Sequence, residues 1–478
     1  MTIPYPSHQN LQAIAAVTPP SGAARPRLTF LGTGYLGATY AICFAELGYD
    51  VLGVDIDAPK IEKLAAGAVP FHEPGLDELL TKNLAAGRLR FTTDYTEAAA
   101  FADVHFICVG TPQRPDGLAA DLAYVESAIV ALAPHLHRKA LIVGKSTVPV
   151  GTAEWVEQLV DKHAPETAEI EVAWSPEFLQ EGFAVEDVLR PNRVIFGVKS
   201  EWALGMLHSA HKGIFDLAST EDRDVPVVIT DFATAELVKV AANAFLATKI
   251  SFINAMAEVC EASGADVTQL ARAIGYDPRI GNKFLRAGLG FGGACLPKDI
   301  RAFQARAQEL GVGEALRFLH EVDLINNRRR NRVIQLTAEL MGRSYGPNGP
   351  DLAGVAVAVL GATFKPHSDD VRDSPALSVV RKLHRAGAQV TVYDPEGMAN
   401  AAREVSEVTY ATSLVDAARG ADLICVLTEW DEFRNADPAA LGDLVAGRRV
   451  IDGRNCLDPV VWARAGWEYR GMGRPVSR

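Results

Sequence analysis

Short apolar runs rich in β-branched residues alternate with amphipathic stretches along most of this chain. In the first half the runs fall at residues 28–31, 51–54, 104–109, 141–143, 172–174 and 194–196, each followed by a helical pattern. Alternation of this kind predicts a parallel sheet wrapped by helices over residues 27–230. Residues 231–261 are Ala-rich and contain neither Gly nor Pro. They predict one long helix, too long for a single crossover and suited to joining two domains. A Gly-rich loop at 281–293, further helix to about Met341 and a Gly/Pro/Asn break at 346–350, read as a linker, come next. Strand-like runs then return at 355–360, 390–393, 423–427 and 450–451. The expected fold class is therefore α/β. Two Rossmann-like doubly wound domains, at 27–230 and 351–478, are joined by a long central helix and a helical middle domain at 231–345. Residues 1–26, with Pro19, Pro20 and Pro26 and no basic leader, read as a flexible tail and not as a signal peptide.

Composition narrows the class. Lys and Arg number 47 against 59 Asp and Glu, a net charge of −12 over 478 residues. Such a molecule repels nucleic acid and anionic membrane, so an anionic ligand must be held by local cations. No unbroken apolar run approaches the roughly 18 residues that a bilayer span needs, so no membrane association is expected. The six cysteines, Cys43, Cys108, Cys260, Cys295, Cys425 and Cys456, have neither disulfide-framework density nor a Cys-x-x-Cys metal spacing. They imply a reducing, cytoplasmic setting and no metal site.

The first strand runs directly into Gly32-Thr33-Gly34-Tyr35-Leu36-Gly37, an amphipathic stretch follows, and the second strand ends at Asp55. Gly32 permits the tight turn, Gly34 lets backbone amides approach a pyrophosphate, and Gly37 lets helix and strand pack closely. Asp55 stands where a carboxylate accepts the ribose hydroxyls of NAD and repels the extra phosphate of NADP. Later strands end in polar or turn-forming residues. Because ligands of open parallel sheets bind at the carboxyl ends of strands, Thr111, Thr147, Glu177 and Glu181 are candidates for the reacting end of the cofactor, or else helix caps and turns.

Two further features carry chemistry. Lys239 and Asn243 stand one turn apart in the long helix among small apolar residues, where an ammonium can stabilise an oxyanion and an amide can fix a hydroxyl. The run Gly288-Leu289-Gly290-Phe291-Gly292-Gly293-Ala294-Cys295-Leu296-Pro297-Lys298-Asp299 has glycines that admit a ligand closely, and Pro297 opens a helix expected at 300–310. Cys295 thus precedes a helix N-terminus, beside Lys298, a setting that favours a reactive thiolate. The last third retains only Gly361 of the fingerprint and should not bind a dinucleotide in the same way. It offers Lys365, Arg372 and Arg454 near strand ends, as local positive charge for an anion or as solvated surface.

These motifs, with Glu73-Pro74-Gly75-Leu76, Lys145-Ser146-Thr147-Val148-Pro149, Pro176-Glu177-Phe178-Leu179 and Phe364-Lys365-Pro366, resemble the UDP-glucose 6-dehydrogenase family of nucleotide-sugar dehydrogenases. The likeness extends from about Arg27 to Gly473. It implies two NAD-dependent hydride transfers from the sugar C6 of UDP-glucose, through a thioester on Cys295. By the same resemblance Lys239 stabilises the oxyanion, Asn243 holds a hydroxyl or water, Asp299 supports water activation or the lysine's charge, and Glu177 and Thr147 assist proton transfer and hydrolysis. It places Gly32, Gly34, Tyr35, Leu36, Gly37, Asp55, Lys60, Thr111, Thr147, Glu181 and Lys298 around NAD. It places Glu177, Phe178, Leu179, Lys239, Asn243, Phe284, Leu285, Gly292, Phe364, Lys365 and Arg454 around the substrate, and it implies a homodimer or larger homo-oligomer. Ser175 departs from the family's usual Asn and removes any amide contact there. GDP-mannose or a UDP-N-acetyl-hexosamine as substrate, a two-electron hydroxyacid dehydrogenase, and a non-catalytic NAD-binding module are the competing readings; the Cys295 loop and the second α/β domain argue against the hydroxyacid dehydrogenase, and a binding module would need no activated thiol.

Overall fold

The computed structural model describes residues 25–346 and 349–475. Of the expected tail, residues 1–24 lie outside the described residues. Arg25 is already tied down, donating to the Leu47 carbonyl, pairing with Asp216 at 3.5 Å and lying over the Tyr49 ring. The chain divides into two compact units, Met1–Ala242 and Asn243–Arg478.

The first unit is built on eight strands: β1 (Leu28–Leu31), β2 (Val51–Val54), β3 (Leu89–Thr92), β4 (Val104–Ile107), β5 (Ala140–Gly144), β6 (Ile170–Trp174), β7 (Val194–Gly197) and β8 (Val227–Thr230). Their order is β3-β2-β1-β4-β5-β6-β7-β8, so the winding reverses between β1 and β4, the switch point at which such sheets bind ligands. The sheet is not wholly parallel as expected, because β6 and β7 meet antiparallel at Trp174 and Gly197. The connection 175–193 therefore stays at the carboxyl end of β6 and keeps Glu177 and Glu181 at the ligand-binding end. β3 and β8 escape the sequence pattern because each is a sheet edge with only half-buried alternation. Phe30 and Phe106 stack at 4.8 Å in the core under the switch point, with Phe44 edge-on to both.

The long helix is Phe232–Ser263, close to the expected 231–261. The boundary between units falls inside it, not before it, because Phe232 and Ala235 belong to the core of the first unit. By length and mean composition this helix is long and apolar enough to cross a membrane, although polar residues interrupt every apolar run in it. Its buried Glu236, Lys239 and Asn243 nevertheless all have polar protein partners, which is the behaviour of a core helix.

In the second unit the helices Val267–Gly275, Leu296–Glu309 and Phe318–Leu340 precede a small antiparallel pairing of β9 (Tyr345–Gly346) with β10 (Gly349–Pro350), where a plain linker is expected. Then come β11 (Ala356–Leu360), β12 (Gln389–Tyr393), β13 (Thr409–Tyr410), β14 (Leu423–Val426), β15 (Arg449–Asp452) and β16 (Glu468–Gly471), in the order β13-β12-β11-β14-β15-β16 and all parallel. The edge strands β13 and β16 are too short or too polar for the pattern to reveal. Of the residues expected to form a helical middle domain, the last turns of the Phe318–Leu340 helix share a core with this sheet, where Val333, Ile334, Leu336 and Leu340 pack with Val357, Val359, Leu377 and Val390, while the other middle helices have core clusters of their own. The first turns of the same helix bury Leu319 and Val322 elsewhere, against Ala244, Ala247, Phe291 and Ile300.

Candidate active site

The fingerprint turn has the geometry that a dinucleotide needs. Gly32 is left-handed at φ 90°, and a side chain there would strike Val109. A Cβ on Gly37 would lie 1.9 Å from the Gly32 carbonyl oxygen, whereas one on Gly34 would meet nothing within 4 Å. Open space at Gly34, before the positive end of the Tyr35–Glu46 helix, is the cradle that a pyrophosphate requires. Asp55, 7% exposed, accepts from the Thr33 amide at 2.7 Å and the Thr33 hydroxyl at 3.1 Å, and from Lys60 Nζ at 2.9 Å. Burial pushes the Asp55 carboxyl up, but Lys60 and the amides of Asp57 and Thr33 outweigh it and hold the group below the usual carboxylate range. Two of the expected cofactor residues are thus a pre-formed ion pair.

Tyr35 and Leu36 open the helix, both half-buried. The Tyr35 hydroxyl donates to Glu73, a buried carboxylate that also accepts from the amides of Gly182 and Ala184 at 2.6 and 2.7 Å. Burial, then Glu73, raises the Tyr35 phenol far above its ordinary range and keeps it a donor. Glu73 comes from a quoted motif without an assigned role; here it ties the segment bearing Glu181 to the phosphate turn.

At the ends of β4 and β5, Thr111 donates to the Thr147 carbonyl at 2.7 Å, so the structure brings these two candidates together. The turn holding Thr147 leads into the helix Thr152–His163, whose amino end is capped from the long helix: Glu236 accepts from the amides of Gly151 and Ala153 at 2.7 and 2.6 Å. Burial raises that carboxyl to about 7. Lys145 also went unassigned. It is 2% exposed, donates to the Ser175 carbonyl at 2.8 Å and lies over the Tyr40 ring. Burial pulls its pKa down to about 8, against Cys108 and Glu177, which raise it. Ser175, the departure from the family pattern, is therefore a lysine partner.

Lys239 and Glu177 form a buried ion pair at 3.0 Å, with exposures of 4% and 8%. The second Glu177 oxygen accepts from the Leu179 amide, and Lys239 and Arg193 both lie against the Phe178 ring, 5.5 and 3.7 Å from its centre. The expected Glu177, Phe178, Leu179 and Lys239 thus form one cluster.

In the second unit Cys295 is the N-cap of the Leu296–Glu309 helix, which starts four residues earlier than expected because Pro297 suits its first turn. The thiol residue is exposed and in no disulfide. One turn on, Asp299 is 1% exposed and bridges Asn243 Nδ2 at 2.6 Å and Lys298 Nζ at 2.7 Å. Lys298, expected beside the cofactor, is here the counter-ion of Asp299. The glycines of the loop serve packing within the protein, not only approach of a ligand. A Cβ on Gly288 would strike the Gly453 carbonyl, on Gly290 Asn326, on Gly292 the Asp373 carbonyl and on Gly293 the Phe364 ring. Phe284 is left-handed at φ 63° and partly exposed, whereas the Leu285 side chain is core, packed with Ile253 and Ala257.

Lys365 lies over the Phe364 ring at 5.3 Å. Arg372 forks onto Asp370 and does not stand alone as a cation. Arg454, expected near a ligand, donates to three carbonyls, Leu427 at 2.8 Å, Gly290 at 3.1 Å and Phe364 at 3.0 Å, and so clasps the cysteine loop to strand ends of the second sheet. Guanidinium geometry favours such a three-way latch wherever carbonyls converge.

Comparison with known proteins bears on this arrangement. Residues 26–215 match the NAD binding domain of the UDP-glucose/GDP-mannose dehydrogenase family, residues 233–328 its central domain and residues 358–459 its UDP binding domain. The UDP-glucose 6-dehydrogenase of Rhizobium meliloti (strain 1021) is 42% identical over 452 residues, covering 94% of this chain and 100% of that protein. The solved UDP-glucose dehydrogenase of Pyrobaculum islandicum is 37% identical with a TM-score of 0.85, covering 95% of this chain and 99% of that one. The UDP-D-ManNAc dehydrogenase of Pyrococcus horikoshii is 30% identical with a TM-score of 0.78, over 94% and 99%. With a dinucleotide cradle in the first unit and an exposed cysteine at a helix N-terminus in the second, the chain belongs to the UDP-glucose/GDP-mannose dehydrogenase family, as an oxidoreductase whose cofactor is NAD.

Proposed function

We propose that this chain oxidises UDP-glucose at C6 to UDP-glucuronate in two steps, with Cys295 as nucleophile. NAD, when held at the Gly32–Gly37 turn and Asp55, would supply the hydride acceptor for each oxidation, one molecule per step. Loss of the first hydride and of the hydroxyl proton gives an aldehyde. Cys295 Sγ, as thiolate, adds to its carbon, forming a C–S bond and an alkoxide that gains a proton; a second hydride and the hydroxyl proton then leave this thiohemiacetal to give a thioester. Water then breaks the C–S bond, releasing the carboxylate and regenerating the thiol. Holding the aldehyde covalently prevents its escape before the second oxidation.

The residues divide the work by chemistry. The Lys239 ammonium, kept close by Glu177, balances oxygen charge as it develops, and Glu177 and Thr147 serve proton transfer in the hydrolytic step. Asn243 and Asp299 orient the hydroxyl and the attacking water, with Lys298 holding Asp299 in place. Gly32, Gly34, Tyr35, Leu36, Gly37, Asp55, Lys60, Thr111 and Glu181 hold the cofactor. Phe178, Leu179, Phe284, Gly292, Phe364 and Lys365 hold the sugar nucleotide; Arg454 acts by shaping the Phe364 turn, and Leu285 by its backbone. A homo-oligomer fits the exposed Phe245, Phe252 and Val259, spaced by seven on the long helix. A cytoplasmic setting fits six cysteines without a disulfide.

The observation that carries the proposal is the exposed Cys295 at a helix N-terminus, one turn from a buried carboxylate already bonded to Asn243 and Lys298. The test counts NADH per sugar nucleotide consumed, across UDP-glucose, UDP-N-acetyl-hexosamines and GDP-mannose. Two per UDP-glucose, with acid as product, is expected; one per substrate, or preference for another sugar nucleotide, overturns it. Cys295→Ala should abolish acid formation and leave NAD affinity within about twofold.

A further inference from the structure

The loop 288–294 that delivers Cys295 lacks regular secondary structure, yet its middle residue has both backbone groups satisfied by one side chain. Asn326, 1% exposed on the helix Phe318–Leu340, accepts from the Phe291 amide through Oδ1 at 2.7 Å and donates through Nδ2 to the Phe291 carbonyl at 3.0 Å. The carboxamide stands in for a neighbouring strand. One turn further along the same helix, Arg330 adds a second donor to that carbonyl at 3.4 Å and pairs with Asp373 at 3.0 Å. The Phe291 ring is buried with Ile300 of the cysteine's own helix and with Ala244 and Ala247 of the long helix.

We infer that Asn326 is a positioning residue for Cys295: its carboxamide fixes Phe291, and Phe291 sets where the chain enters the helix that the cysteine caps. The inference deepens the proposed function, on which the nucleophilic role of Cys295 rests. Asparagine meets the geometric demand and its neighbours in size or chemistry do not. Aspartate turns an oxygen toward the Phe291 carbonyl, and leucine leaves the Phe291 amide unpaired in a buried site, with its carbonyl holding only the longer Arg330 contact. At Gly290, φ 93°, a Cβ would already lie 2.1 Å from Asn326 Oδ1. Cys295 is thereby held from both sides, by its helix after it and by the clamped Phe291 before it.

The test compares the full chain with Asn326→Ala and Asn326→Asp. Three quantities are read: the rate at which iodoacetamide alkylates Cys295, followed by mass spectrometry of its peptide; kcat and KM with UDP-glucose and NAD; and the melting temperature. Because a displacement of about 1 Å at a reacting atom costs on the order of a hundredfold, kcat of Asn326→Ala should fall about 30- to 100-fold, with KM for NAD within about twofold and alkylation at least about fivefold slower. Asn326→Asp, which keeps the acceptor for the Phe291 amide, should fall between that variant and the parent. If Asn326→Ala does not fold, Asn326→Asp carries the test with the same readouts. A folded variant that alkylates at the parental rate overturns the inference, whether or not kcat has dropped. If the unsubstituted chain does not oxidise UDP-glucose, the proposed function fails, while the alkylation comparison still decides for or against Asn326.

Discussion

The two sheets begin with the same device and put it to opposite uses. After β1, the Thr33 amide and hydroxyl bind Asp55 at the end of β2; after β11, the Ala362 amide and the Thr363 amide and hydroxyl bind Asp394 just past β12. Gly32 and Gly361 take the same left-handed turn, at φ 90° and 105°. The difference lies two residues on. Gly34 leaves open space and the Tyr35–Glu46 helix starts at once, whereas Thr363 fills the equivalent position with its amide turned to the acid, and the next helix waits until Pro375. Asp394 is completely buried and also accepts from Trp430, Glu396 and Gly397. The lesson is that the acid and the first glycine make the turn, while the second glycine and the prompt helix make the dinucleotide site.

Three substitutions break or sharpen that contrast. The largest effect is expected from Asp394→Asn, whose amide would face at least one backbone N–H of a fully satisfied buried cluster. Urea unfolding should show a loss of about 3–4 kcal/mol from the second unit, with NAD affinity unchanged. Gly34→Thr installs the residue of the closed turn in the open one. Gly34 has φ −69°, which a side chain tolerates, so the melting temperature should hold within about 2 °C while NAD affinity, by calorimetry, falls about 100-fold, or roughly 2.7 kcal/mol. Retained affinity would mean that open space at Gly34 is not the cradle.

The smallest effect is a pH slope. Asp55 is ion-paired with Lys60, and its carboxyl is held below the ordinary value, burial notwithstanding. The unfolded chain therefore takes up this proton first as acid is added. The stabilisation is full above the ordinary carboxylate range and is lost as pH falls through the folded value. Lys60→Met should flatten the acid limb of a stability–pH curve by about 1 kcal/mol, because Lys60 is partly solvated. An unchanged limb would show that the amide donors alone depress Asp55.

The comparison also explains what could be read in advance. Gly32, Gly34, Gly37 and Asp55 were legible because each answers a local demand, a turn, a clearance or a strand end, at fixed spacing. Cys295 was legible because Pro297 marks a helix start. Lys145, Glu73 and Glu236 had no role in that reading: each bonds partners 30 to 111 residues away, and no local pattern distinguishes such a carboxylate or ammonium from a solvated one. The carbonyl contacts of Arg454 were hidden for the same reason, since its partners Gly290 and Phe364 are 164 and 90 residues distant. Half-buried edge strands such as β3 and β16 lack the apolar density by which central strands are found.

What the order of residues determined by itself was local chemistry and period: βα alternation, the glycines of the first turn, the long Ala-rich helix and a cysteine at a helix start. These rest on backbone sterics and on hydrophobic periodicity, which act over a few residues. Tertiary structure alone decided that the end of the Phe318–Leu340 helix shares a core with the second sheet, that β7 runs against β6, that the glycines of the cysteine loop yield to Asn326, Asp373 and Phe364, and which buried charges find partners. Those outcomes depend on desolvation and close packing between segments far apart in the chain, where the cost of an unpaired buried group is set by whatever the fold brings beside it.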